Sequence, residues 1–429
     1  MSQQKQGGNI VAIIMMIFLF GMISFVTNLA APMGVVLKNQ FGVSNAMGML
    51  GNMANFIAYA VMGIPGGLLL QKMGYKKTAL IAIAFGFVGV FIQYLSGYAA
   101  SFGVYLLGAF VAGFSMCLLN TVVNPMLNTL GGGGNKGNQL IQVGGSFNSV
   151  MATFTPAFVG ILIGEAAKAK ITDVFPVMYI AMGVFLLVFF VLWAVSIPEP
   201  NAERASEPLG NLMSGALKFR HFILGAIAIF VYVGVEVGTP GTLILWLSDS
   251  SVSSVGATTA GFVAGTYWFL MLIGRLCGAS IGGKVSSKTM LSVTSGVALI
   301  LVILAIILPT SSLVSLPVLQ TSNAGALSFG FAQVPINAMF LVLIGLCTSI
   351  MWGGIYNLAV EGLGKYLAAA SGIFMVLVCG GGILPWIQAN VADLSGYMTS
   401  YWVILAGLAY LLYYALIGSK NVNKDISVD

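Results

Sequence analysis

Charge is what this chain has least of. Of 429 residues only 7% are Asp, Glu, Lys or Arg, and there is a single histidine. A water-soluble domain averages about 25% charged residues, so a surface this poor in charge cannot be solvated and must face lipid. Histidine scarcity leaves little support for a catalytic metal site: His221 stands alone beside Arg220, without a second imidazole or an acid cluster. The four cysteines, Cys117, Cys277, Cys347 and Cys379, all lie in apolar runs and form no CxxC or His/Cys pattern. A nucleotide-hydrolysing motif is missing too. Gly131-Gly-Gly-Gly-Asn-Lys136-Gly does not keep the GxxxxGK[ST] spacing and follows no strand. The chain is therefore not expected to be an enzyme or to need a cofactor, and any uphill work must draw on an ion gradient.

What is abundant is hydrocarbon: 59% of the residues are hydrophobic. The apolar runs are too long and too continuous for barrel strands, which alternate over about ten residues. They match helices of about 20 residues that cross a bilayer. Polar punctuation divides them into twelve spans, at 10–37, 45–70, 78–97, 102–128, 139–166, 175–197, 222–247, 258–280, 289–309, 331–359, 367–391 and 398–417. The first is too long for a signal-peptide core of roughly 7–15 residues and is expected to be the first span.

The formal net charge of +6 does not point to nucleic acid. The basic residues sit in short clusters between spans and form no stripe interleaved with aromatics. With the N-terminus in the cytoplasm, that side holds Lys5, Lys72, Lys76, Lys77, Lys136, Arg204, Lys218, Arg220, Arg275, Lys284, Lys288, Lys365, Lys420 and Lys424. The other side holds Lys38, Lys168 and Lys170, which together account for all 17 cations. The bias places both termini in the cytoplasm.

The longest strongly polar stretch, Pro198 to Arg220, divides the chain into an N-terminal six-helix bundle (1–198), a cytoplasmic linker (199–220) and a C-terminal six-helix bundle (221–429). The bundles echo each other. Gly67-Leu-Leu-Leu-Gln-Lys-Met-Gly-Tyr-Lys-Lys77-Thr after span two parallels Gly278-Ala-Ser-Ile-Gly-Gly-Lys-Val-Ser-Ser-Lys288-Thr after span eight. Asn124 to Gly131 parallels Asn357 to Gly364. Two such repeats are an expected architecture for a secondary transporter.

Within the spans, Glu236 is the acid that falls near a span centre, in Tyr232-Val-Gly-Val-Glu-Val-Gly-Thr-Pro-Gly241. An ionisable group there costs about 2.5–3.5 kcal/mol on insertion scales and marks a pathway. It can bind and release a proton as water access alternates, or accept hydrogen bonds from a polar ligand. Gly238, Pro240 and Gly241 are expected to bend the helix beside it. Amides cluster as well. Asn120, Asn124 and Asn128 share a face of span four; Asn28 lies in span one, Gln142 and Asn148 in span five, Asn357 in span ten, and Gln388 and Asn390 in span eleven. Amides donate and accept, which suits the hydroxyls of a sugar. The aromatic candidates are Tyr232, Tyr267, Trp268, Trp352 and Tyr356, of which Trp352 and Tyr356 stand next to Asn357. Packing between helices is the competing explanation for the amides and aromatics alike.

Several of these segments carry a family resemblance: the Gly67–Lys77 motif, with Gln71 where an aspartate is usual, Asn120-Thr-Val-Val-Asn-Pro125, Gly144-Gly-Ser-Phe-Asn-Ser149, Tyr232-Val-Gly-Val-Glu236 and Gly380-Gly-Gly-Ile383. Through essentially its whole length the chain resembles the major facilitator superfamily, and within it the fucose and glucose/galactose permeases. That resemblance implies an all-α fold of twelve transmembrane helices in two bundles, and a monosaccharide permease, often proton-coupled, of a bacterial inner membrane. It implies that Asn28, Asn148 and Trp352 line the sugar cavity. Fucose permease-like members carry acids in spans one and four, where this chain has Ala31 and Asn120. The acid on span seven looks more like the glucose/galactose branch.

The expected function is hexose transport (glucose, galactose or fucose) coupled to protons through Glu236. The expected partners are the sugar, a proton or sodium ion, and membrane lipids, with the chain acting as a monomer. An uncoupled or sodium-coupled permease and a non-transporting sugar sensor are the alternatives.

Overall fold

The computed structural model describes residues 10–26, 50–163, 171–199, 208–249, 257–321 and 327–423, together with 255 and 426. The first half of the chain supplies α1 (Ile10–Val26), α2 (Leu50–Ala99), α3 (Phe102–Leu130), α4 (Gly134–Ile163) and α5 (Phe175–Ala194). The second half supplies the short α6 (Leu209–Ala216), then α7 (Arg220–Ser248), α8 (Ala257–Ile281) and α9 (Ser287–Ile307). An antiparallel hairpin, β1 (Leu313–Thr321) and β2 (Leu327–Pro335), precedes α10 (Ile336–Thr348) and α11 (Met351–Val360). The chain ends with α12 (Leu367–Val376), α13 (Gly380–Ser395) and α14 (Tyr397–Tyr413), the last running into a π-turn at Tyr414–Gly418.

Nine stretches among the described residues are long and apolar enough to cross a membrane. One of them, Met53–Ala99, is two crossings joined at Gly74. Two further helices, α1 and α4, complete the twelve expected. Spans ten and eleven are each split, into α10 with α11 and α12 with α13.

Gly74 explains how spans two and three stay in register. Its φ of 80° and ψ of 179° suit glycine, and the chain turns there without leaving helix on either side. The new helix start exposes amide donors, and Glu199 satisfies two of them: Tyr75 N–H donates to Oε2 at 2.8 Å and Lys76 N–H to Oε1 at 3.1 Å. Lys76 Nζ reaches back to the Trp193 and Val195 carbonyls at 2.8 and 2.6 Å. The turn is thereby pinned to the end of α5. The Gly131–Gly134 run, read as a loop, makes a tight reversal with positive φ at Gly132, Gly133 and Gly134, and α4 starts five residues before the predicted span.

The expected bend at Pro240 takes a mild form. Helix α7 continues through it, with Thr239 Oγ1 bonding the Val235 carbonyl at 2.7 Å and Tyr401 donating its hydroxyl to the Thr239 carbonyl at 3.0 Å. Side chains thus occupy carbonyls around the proline. The connection after span nine forms the hairpin, with β2 taking the first five residues of the predicted span ten.

Small residues set the helix spacing. At Gly380 a Cβ would collide with the backbone of Phe230, so α13 and α7 touch main chain to main chain. Gly183 on α5 has no atom within 4 Å of the same position. Gly380→Val is expected to lower the melting temperature of the purified protein, by overpacking worth about 1–3 kcal/mol, and Gly183→Val to leave it unchanged. Equal melting of both variants would show that this approach does not limit stability.

Candidate functional site

The centre of the site is an ion pair. Glu236, on α7, lies with Oε1 at 3.3 Å from Nη2 of Arg275 on α8. The Glu236 side chain keeps 14% exposure and that of Arg275 keeps 10%, so the pair is nearly but not completely enclosed. The carboxyl is therefore not solitary, as its sequence context suggested, and Arg275 is not one of the cytoplasmic cations. The sequence placed Arg275 on the flank because it lies near a predicted span end. The fold buries it, because its fork finds acceptors on every side.

Those acceptors come from both halves of the chain. Arg275 Nη1 donates to the Gly145 carbonyl at 3.0 Å, Asn148 Oδ1 at 3.1 Å and Ser149 Oγ at 2.8 Å, all on α4. Its Nε donates to the Ser349 carbonyl at 3.1 Å. Ser349 and Ile350 form the break between α10 and α11, where the carbonyls are open to side-chain donors. Gln142, also on α4, donates to the Ile350 carbonyl at 2.9 Å. One helix of the first half therefore occupies the broken helix directly and through Arg275.

Further polar contacts cross between the halves on the same side of the ion pair. Trp352 donates its indole N–H to Asn124 Oδ1 at 3.0 Å. Asn128 donates to Asn357 Oδ1 at 2.8 Å, and Asn357 donates to Ser287 Oγ at 3.0 Å. Gln139 donates to the Ala279 carbonyl at 3.0 Å. At Gly63 a Cβ would lie 2.6 Å from the Val376 backbone nitrogen and 2.8 Å from the Gly372 carbonyl oxygen, a dry crossing of α2 and α12. All these contacts lie toward the end of the bundle that carries Gly74, the Gly131–Gly134 turn and the Gly282–Ser286 turn. Lys72, Lys76, Lys77, Lys136, Lys284 and Lys288 flank these turns, and it is called here the basic end.

Of the residues singled out from sequence, Asn124, Gln142, Asn148, Glu236, Trp352 and Asn357 meet at this seam. Asn148 has both ends of its amide engaged, Nδ2 donating to the Phe20 carbonyl at 2.8 Å and Oδ1 accepting from Arg275. Asn120 sits one turn behind, bonded to the Tyr59 hydroxyl at 2.8 Å. Tyr232 lies one turn from Glu236, fully buried, with its ring centroid 6.3 Å from that of Trp352.

Three candidates are packed away from the seam. Tyr267 bonds Thr348 Oγ1 at 3.0 Å, Tyr356 bonds Ser371 Oγ at 3.2 Å, and Gln388 lies against Gly238 with neither amide atom partnered among the described residues. All three are fully buried. Asn28 lies outside the described residues. Sequence reasoning missed Arg275, Ser149 and the Ser349 carbonyl. The signal for Arg275 was available: it lies inside the predicted span 258–280, where a cation calls for the same explanation as Glu236. Nothing in the sequence marks the break at Ser349.

Comparison with known proteins agrees with this architecture. The chain is 29% identical over 433 residues to the glucose/galactose transporter of Brucella abortus (strain 9-941), covering 98% of this chain and 96% of that protein. It is 27% identical over 420 residues to the putative glucose/galactose transporter of Helicobacter pylori (strain J99), with 94% and 95% covered. To the L-fucose-proton symporter of Escherichia coli (strain K12) it is 21% identical over 386 residues, with 84% and 82% covered. Its fold is similar to the crystal structure of the transporter FucP in the outward conformation, with a TM-score of 0.78 at 19% identity over 96% of this chain and 100% of that one. The family model described as Major Facilitator Superfamily matches residues 13–385, and the chain belongs to that superfamily.

Proposed function

We infer that this protein carries a monosaccharide, a hexose such as glucose, galactose or fucose, across a bacterial inner membrane by alternating access, with Glu236 coupling the movement to protons. The observation that carries the reading is the Glu236–Arg275 pair, joined to Asn148 at the meeting of the two halves. The names of the relatives supply the substrate class.

With the carboxyl ionised, Glu236 holds Arg275 in place, and Arg275 holds α4 against the second half. A proton on Glu236 removes the charge that Arg275 faces and frees the guanidinium to change partners. Sugar hydroxyls are suited to the same groups: Asn124, Gln142, Asn148, Trp352 and Asn357 offer donors and acceptors, and the indole offers a flat apolar face. Asn28, Asn120, Tyr232, Tyr267, Tyr356 and Gln388 complete the candidate set. By the distribution of basic residues, the basic end faces the cytoplasm with both termini. The crossing contacts then seal the inward side, and the conformation is outward-facing. The chain works as a monomer with two six-helix bundles (1–198 and 221–429) moving about the 199–220 linker.

An uncoupled permease is the second reading, favoured by one feature: Arg275 already neutralises Glu236, so the carboxyl has a partner without a proton. A sodium-coupled permease differs from both in its ion requirement.

Uptake into proteoliposomes separates these readings. With an inward proton gradient the wild type is expected to accumulate hexose above the outside concentration, and Glu236→Gln to equilibrate it without accumulation. Undiminished accumulation by Glu236→Gln would exclude the coupling role, and a sodium requirement in ion replacement would favour the third reading.

A second expectation concerns the pair itself. Arg275→Met strands an enclosed carboxylate, at a cost of about 3–5 kcal/mol, and should lower the melting temperature markedly. Arg275→Met with Glu236→Leu should recover much of the loss, because no charge is left unpaired. Thermal unfolding of the purified variants checks this; a single variant as stable as the wild type would remove the pair from its structural role.

A further inference from the structure

The hairpin β1–β2 has no part in the seam, and its composition is unlike that of an extramembrane loop. No charged residue or histidine occurs anywhere between Lys288 and Glu361. The connection between α9 and α10 is therefore as free of charge as the spans on either side. A hairpin with one face in water alternates apolar and polar side chains. Here the inner face is apolar, and the outer face is apolar apart from the exposed Ser315–Gln333 pair. Leu316, Val318, Ala332 and Val334 point inward and are buried. Leu313, Phe329 and Phe331 point outward, 58%, 66% and 78% exposed, with Pro317 exposed opposite Phe331.

The position of the hairpin is as telling as its composition. The Phe329 ring packs edge-on against Phe269, with centroids 5.5 Å apart. Phe269 belongs to the membrane span Thr259–Ile281. The hairpin thus folds back alongside α8 and does not project off the end of the bundle. Beside its base, α9 presents Ile300, Ile303 and Ile307, exposed by 59%, 43% and 67%, on the lipid-facing surface. The outward phenyl rings are as exposed as those isoleucines.

We propose that the hairpin is seated in the membrane, its outer face of Leu313, Pro317, Phe329 and Phe331 packed against the acyl chains of the leaflet at the end opposite the basic one. Open strand edges cannot be left in hydrocarbon, because their amides and carbonyls would lack partners. The hairpin accordingly lies at the boundary of the hydrocarbon. There its free edge bonds water and ester oxygens while its rings reach inward, as interfacial aromatics do. The assignment is independent of which solute the protein carries.

Site-directed spin labelling tests it on the full chain in proteoliposomes. Cys277 and Cys379, the two cysteines that are not buried, are replaced by serine. A nitroxide is then placed at Phe331→Cys, at the lipid reference Ile300→Cys or at the aqueous reference Lys288→Cys. Collision with oxygen, which concentrates in lipid, is compared with collision with a water-soluble nickel chelate. The oxygen-to-nickel ratio at position 331 should fall within about twofold of that at position 300 and stand well above that at position 288, as immersion beside the acyl chains requires. A ratio matching position 288 would place the face in water and overturn the proposal. So would loss of both collisions with spin–spin broadening that disappears on dilution with unlabelled protein, since a second copy would then cover it. Ser315→Cys, on the same outward face, serves as the label site if Phe331→Cys does not fold.

Discussion

A guanidinium placed among apolar helices needs acceptors for its donors, since an unpaired charge in that medium is costly. Arg275 meets this condition only where α4, α7 and the break after α10 converge, because its acceptors come from all three. The requirement fixes more than one side chain. It sets the height of α4 against α8, brings Gln142 to the Ile350 carbonyl, and places Trp352 within reach of Asn124. The crossing of Gly63 and Gly372 complements it by a different means, with backbones in direct contact and no polar side chain between them. The two halves are thus joined at the basic end by both hydrogen-bonded and purely steric contacts.

This division of labour accounts for the composition of α4. A helix that faced lipid on one side and an apolar core on the other would carry few amides. Helix α4 carries Asn138, Gln139, Gln142 and Asn148 because its inner face meets the second half of the chain, where carbonyls and a charged fork await donors and acceptors. The same residues lower its hydropathy below that of its neighbours. Polarity in a membrane helix here marks a surface that touches protein.

Much of the fold could be read from sequence because hydrocarbon thickness imposes a length on each span, and the polar breaks between spans are short. The twelve segments follow from that, and so does the reading of Glu236 as an ionisable group inside one of them. The site was legible in part. Asn124, Gln142, Asn148, Trp352 and Asn357 stand together because amides in a bilayer seek one another. Tyr267, Tyr356 and Gln388 look identical by composition, but their direction around the helix turns them into the interior. The hairpin and the interruption at Ser349 were not legible. Both depend on tertiary contacts: a strand pair needs a helix to lie against, and a helix breaks where side chains from elsewhere can bond its carbonyls.

That interruption has a consequence for any movement of the halves. The Ser349 and Ile350 carbonyls receive their hydrogen bonds from Arg275 and Gln142. If α4 withdraws, Gln142 leaves with it and Arg275 loses its anchors on that helix. The Ile350 carbonyl would then keep only its bond from the Gly354 N–H at 3.2 Å, and the Arg275 donors freed from α4 would face a void. Parting at that end therefore has to admit solvent, or hydroxyl groups that act like solvent, in the same motion. A dry opening is energetically closed to this molecule.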